Sequence, residues 1–218
     1  MSNPESFIEE VTEEVRRDRV FKLMKRYGWV GVLVVLGIVG GTAWREYQSA
    51  TLAAESQAFG DGILAALENE DSAVRVSELE NLPTSGSDAK AVLDMLIAAE
   101  QGNEGDDAAA IERLQAVAND ANVPTIYRQI ASYKALARGA EVLSVEDRQA
   151  GFEALAVAGQ PLRLLAEEQL ALIEIETGDK EAALTRLQAL IVDSEVTAGL
   201  RRRASQLIVA LGGAVEQS

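Results

Sequence analysis

The sequence predicts an all-α protein: one transmembrane helix near the N-terminus, followed by a solenoid of helical hairpins. Three observations carry this. Residues 27–44 form an apolar run without a single charge. Alanine and leucine dominate a chain with 5% aromatics and four prolines, and both residues lose little rotamer freedom in a helix. The C-terminal half also matches itself when shifted by 73 residues. The expected organisation is a cytoplasmic segment over 1–26, a membrane helix over 27–47 and a helical domain over 48–218.

The first segment reads as a helix. Asn3 suits a cap, Pro4 the first helical position, and Glu5, Glu9 and Glu10 the positive end of the helix dipole. Phe7, Val11 and Val15 form a narrow apolar stripe. It fits a solvated helix leading to the membrane or a docking stripe for a cytoplasmic partner.

The run from Tyr27 to Trp44 spans about 27 Å as a helix, close to the thickness of a hydrocarbon core. Tyr27 and Trp29 stand at one end, Trp44 and Tyr47 at the other, where aromatic rings settle at headgroup level. A buried core helix would need a polar face, and this run has none. A cleaved signal peptide is the stronger rival, because Gly41 and Ala43 are small enough for a cleavage site. The 26 residues ahead of the run and its own length argue against that. Six Lys/Arg lie between Arg16 and Arg26, whereas Arg45 on the far side is followed by no other base until Arg75. Positive flanks stay in the cytoplasm, so the helical domain is expected outside, in the periplasm of a bacterial inner membrane. Gly37, Gly40 and Gly41 make a small-residue face on which another membrane helix could dock.

Composition excludes much chemistry. The chain has no histidine and no cysteine. That rules out disulfides, thiolate catalysis, His- or Cys-bound zinc and a Ser-His-Asp triad. Residues 1–26 hold six acids and six bases; the whole net charge of −15 falls on the rest, which therefore repels nucleic acid. No phosphate-binding loop or calcium loop occurs, Asn103–Asp107 reads as a turn, and Glu167 and Glu168 point to different sides of a helix. No enzyme activity, cofactor or metal is expected. Arg201, Arg202 and Arg203 read as a solvated basic face.

Prolines at 83, 124 and 161 are spaced for two helices and two turns per interval. Ser144 with Asp147 marks a helix start, and Ala198–Leu211 a closing helix. With the 73-residue shift, residues 110–139 lie over 183–212 with twelve of thirty positions identical. Upstream, Ala98/Ala171, Gly105/Gly178 and Asp106/Asp179 coincide. Each Gly-Asp pair suits a hairpin turn, the glycine ending one helix and the aspartate capping the next. Ala171 and Ala183 are small where two helices cross; Leu114 and Leu187 fill the space between hairpins. Half of 73 lies near the 34-residue tetratricopeptide length.

The run from Leu165 to Leu190 resembles a tetratricopeptide repeat, with Ala171, Gly178, Ala183 and Leu187 at its small and large positions but without its aromatic ones. The whole layout of charged segment, membrane helix and tetratricopeptide-like domain resembles the YfgM-type family of ancillary SecYEG translocon subunits. The resemblance implies a periplasmic, chaperone-like scaffold that works beside the Sec translocon and periplasmic chaperones and engages exported proteins. The alternative is an accessory or assembly subunit of another inner-membrane complex, such as a respiratory enzyme. Groove positions on the first helix of each hairpin would be Met95, Leu172 and Ile175, which are equally readable as core.

Overall fold

The computed structural model describes the backbone of residues 4–214 and the side chains of 24–214 apart from Gly28 and Val32. The Asn3 cap and the side chains of Phe7, Val11 and Val15 lie outside the described residues. The chain divides into two units, Met1–Ala58 and Phe59–Ser218. No strand occurs among the described residues.

In the first unit the chain is one helix, α1 (Pro4–Leu67). Proline is absent between Pro4 and Pro83, so nothing removes a backbone donor along the way. The helix therefore continues beyond Tyr47, the expected end of the membrane span. It also runs through Gly60 and Gly62, although glycine in a helix interior costs stability. Gly62 is a packing device: a Cβ there would lie 2.8 Å from Leu82 Cδ2.

Among the described residues the second unit contains the last turns of α1, from Phe59, and eight further helices. These are α2 (Ser72–Glu80), α3 (Ser87–Asn103), α4 (Asp107–Asn119), α5 (Thr125–Arg138), α6 (Val145–Leu155), α7 (Arg163–Glu176), α8 (Lys180–Val192) and α9 (Ala198–Ala210). A 3₁₀ turn at Gly139–Glu141 links α5 to α6. From α2 to α9 each helix packs on its chain neighbours, and α3 also reaches α5. Pro83 and Pro161 lie in the connections before α3 and α7, and Pro124 is the N-cap of α5. Each proline thus sits where no intrahelical donor is needed.

The unit is a tandem repeat of four helices. Helices α2, α4 and α5 start at Ser72, Asp107 and Thr125; α6, α8 and α9 start at Val145, Lys180 and Ala198, each 73 residues later. Ends repeat with starts. Asp106 accepts from Ala109 N at 3.1 Å and Asp179 from Ala182 N at 3.0 Å. Gly105 and Gly178 before them have φ of 88° and 85°, a region that only glycine enters without strain. This lets Asp106 N and Asp179 N donate back to the carbonyls of Gln101 and Glu174, at 3.0 and 2.8 Å, closing the preceding helix. Asp120 and Asp193 receive the N–H groups of Asn122 and Glu195, both at 2.9 Å.

The core repeats as well. One cluster joins Leu79, Leu93 and Ile97 with Ile63 of α1; its counterpart joins Phe152, Ala166 and Leu170 with Leu136 of α5. A second joins Ala98, Ala110, Leu114, Val117, Val123 and Ala131; its counterpart joins Ala171, Leu187, Leu190, Val196 and Ala204. Ala183 is likewise fully buried. The period is therefore a whole four-helix unit that begins at the caps Asp71 and Ser144. It starts further upstream than sequence identity reveals.

Candidate interaction surfaces

Along α1 the apolar run is bare. Trp29, Leu33, Val35, Leu36, Ile38 and Trp44 are all more than half exposed. Beyond the adjoining residues and backbone of α1 itself, no described residue approaches within 4 Å of a Cβ built at Gly37, Gly40 or Gly41. At the basic end Trp29 Nε1 donates to the Arg26 carbonyl at 3.1 Å, and the Arg26 guanidinium lies 5.8 Å from the Tyr27 ring centre. These contacts gather an indole, a phenol and a cation at one level, the arrangement a headgroup layer favours. This helix is long and apolar enough to cross a membrane, and none of its apolar window is buried in the protein.

In the second unit, Ala98, Ala171, Ala183 and Leu187 are fully buried and Leu114 nearly so. Together with the turn glycines Gly105 and Gly178 they stand at helix crossings and hairpin turns. The three groove positions separate. Met95 is a core residue, 9% exposed and clustered with Ala98, Leu114 and Ala131, because α4 and α5 both close over that side of α3. It also lies under a pocket of about 270 Å³ lined by Ala99, Tyr133, Lys134 and Arg138. Leu172 is exposed and Ile175 half-buried.

Charged networks carry the repeat across the surface. Arg113 of α4 reaches Asp94 and Gln101 of α3, and Glu80 of α2. Arg186 of α8, 73 residues on, reaches Glu167 and Glu174 of α7, with the Glu174 bonds at 2.7 and 2.9 Å. The Glu174 hydrogen bonds, more than offsetting its partial burial, hold the Arg186 guanidinium well above its ordinary value. Arg75 and Arg148 repeat too, the first bound to Glu100 and the second to both oxygens of Glu176 at 2.6 Å. Beside Arg186, a pocket of about 570 Å³ opens between α7 and α8.

Glu167 and Glu168 diverge. Glu167 turns to α8, while Glu168 takes two bonds of 2.7 Å from Arg203 of α9. Next to that pair, Gln169 Nε2 donates to the Tyr133 hydroxyl at 3.2 Å, and Tyr133 meets the Phe152 ring edge-on at 5.7 Å. Burial, assisted by Glu168, pushes the Tyr133 phenol above 10. A phenol with a raised folded value contributes stability that is complete below its unfolded value and lost as pH rises through the folded one. Urea midpoints measured from pH 8.5 to 11 should fall in the wild type, and fall less steeply in Tyr133→Phe. Parallel curves would exclude this phenol as the source.

Of the three arginines in a row, Arg203 is spent on Glu168 and Arg201 donates Nε to the Ile191 carbonyl at 3.0 Å. Arg202 is exposed and makes no ion pair among the described residues. Nor do those residues contain a group of three or more carboxylates placed to hold a metal ion. Comparison with protein families, with curated proteins and with solved structures finds no match to this chain.

Proposed function

We propose that the protein is a membrane-anchored periplasmic interaction scaffold, chaperone-like, which works beside the Sec translocon and engages exported proteins. The observation that carries the proposal is the apolar run of α1, whose side chains find no cover within the protein. Lipid is the solvent that satisfies such a helix, since its backbone donors and acceptors are already paired internally. The basic residues before the run favour a cytoplasmic N-terminus and an exported second unit. Helix pairs packed in chain order provide a long surface suited to extended or helical partners, which supports binding rather than catalysis. The place beside the translocon rests on the resemblance in layout alone.

Two measurements test this. A C-terminal fusion to a reporter active only after export should be active; activity confined to the cytoplasm would remove the exported scaffold. Purification from native membranes in mild detergent should retain translocon subunits or a membrane-bound chaperone. Recovery of a respiratory complex instead, lost when α1 is replaced by an unrelated membrane helix, would favour an accessory subunit docked through the glycine face.

A further inference from the structure

The tandem repeat defines a surface on α9 and the kind of partner that fits it. Positions 73 residues apart, beginning on α1 ahead of the first repeat, each receive a following helix pair. Ile63 of α1 packs against Leu79 and Leu93 of α2 and α3. Leu136 of α5, 73 residues on, packs against Phe152 and Ala166 of α6 and α7. The third member of the series is Val209 of α9, and it is 63% exposed. The rest of the face follows the same rule. On α5, Gln129 bonds Gln160 at 2.6 Å, Tyr133 meets Gln169 and Phe152, and the Leu136 side chain lies over Gly151. Their counterparts Arg202, Gln206 and Val209 are all exposed on α9. Together with Ala198, Arg201 and Ser205 they line a shallow depression of about 590 Å³.

We infer that this face of α9 docks an acidic, amphipathic pair of helices from another protein, seated as α6 and α7 are seated on α5. Charge argues for the sign of the partner. The segment that occupies the α5 face, 144–177, carries seven acids and two bases, and the one on the α1 face, 71–103, carries six acids and two bases. On α9 the receiving face has gained Arg202 where α5 has Gln129, so it favours carboxylates more strongly than its internal counterpart. A second copy of this chain does not fit. Two α9 faces would oppose their arginines, and the α2 and α6 faces are already used, with Leu79 and Phe152 at 0% and 1% exposure. The inference stands apart from the place beside the translocon: it concerns which surface binds and what chemistry it takes.

The probe is a fluorescent synthetic peptide of residues 144–177, titrated by anisotropy against the full-length chain in detergent micelles. It should bind saturably and more weakly as salt rises. Arg202→Glu with Val209→Asp should weaken it about tenfold or more. Val142→Lys, at another exposed position, should leave it unchanged. Both changed residues of the double variant are exposed, so its melting temperature should match the wild type; Val209→Ala with Arg202→Gln provides a milder pair with a smaller loss. No binding, or equal binding to wild type and double variant, would overturn the inference, the latter meaning exchange with the chain's own α6–α7. Self-association of the wild type that disappears in the double variant would overturn it too, since the occupant would then be a second copy.

Discussion

Phe152→Ala is expected to destabilise the second unit by about 3–5 kcal/mol, the range for removing a buried aromatic ring from a packed core. Phe152 is among the largest fully buried side chains and joins three helices: it lies on α6, clusters with Ala166, Leu170 and Ile173 of α7, and receives the Tyr133 ring of α5. The cavity cannot close easily. Next to Phe152 on the same helix, α6 already packs tightly on α5, since a Cβ on Gly151 would sit 2.5 Å from the Leu136 side chain. Equilibrium urea unfolding of the full chain in detergent, followed by far-UV circular dichroism, measures the loss. Its repeat partner Leu79→Ala should cost about 2–5 kcal/mol. Val192→Ala, at a position 80% exposed, should change stability by less than about 0.5 kcal/mol. Equal midpoints for Phe152→Ala and Val192→Ala would mean that the α6–α7 junction contributes little to cooperative folding.

The same cluster explains what could and could not be read from the sequence. The α4–α5 and α8–α9 halves of the repeat were legible because their buried positions keep identity: Ala110/Ala183, Leu114/Leu187, Val123/Val196 and Ala131/Ala204. The turns were legible because positive φ demands glycine and an orphaned helix start attracts aspartate. The α2–α3 and α6–α7 halves were far less so, keeping only scattered identities such as Arg75/Arg148, Gly86/Gly159 and Ala98/Ala171. There the core residues change size at equivalent positions, Leu79 to Phe152 and Leu93 to Ala166. Met95 and Ile130, which share a cluster, become Glu168 and Arg203, which share an ion pair. Identity thins while the geometry persists. The open face of α9 was illegible for a different reason. Arg202, Gln206 and Val209 are ordinary surface residues by type, and only the covered counterparts on α5 show that this surface is a receiving face.

Membrane attachment should fail outright in Val35→Arg with Leu36→Arg. Each arginine near the centre of a span costs about 2.5–3.5 kcal/mol, and each large aliphatic residue returns only about 0.3–0.6. Between Val30 and Val39 the run has eight Val, Leu or Ile residues, a favourable contribution of about 4 kcal/mol on that scale. Two arginines cost about 6 kcal/mol, so insertion changes sign. Neither position is packed against the protein: Val35 is 59% and Leu36 61% exposed, so the substitution opens no cavity. The wild type should remain in the pellet after alkaline carbonate washing of membranes and the double variant should move to the supernatant. Val35→Leu with Leu36→Val should behave as wild type. A wild type that carbonate releases would show that α1 lies on the membrane or on a partner rather than through the bilayer. The proposed export of the second unit would then lose its physical basis, because the positive-inside rule applies to a helix that spans the bilayer.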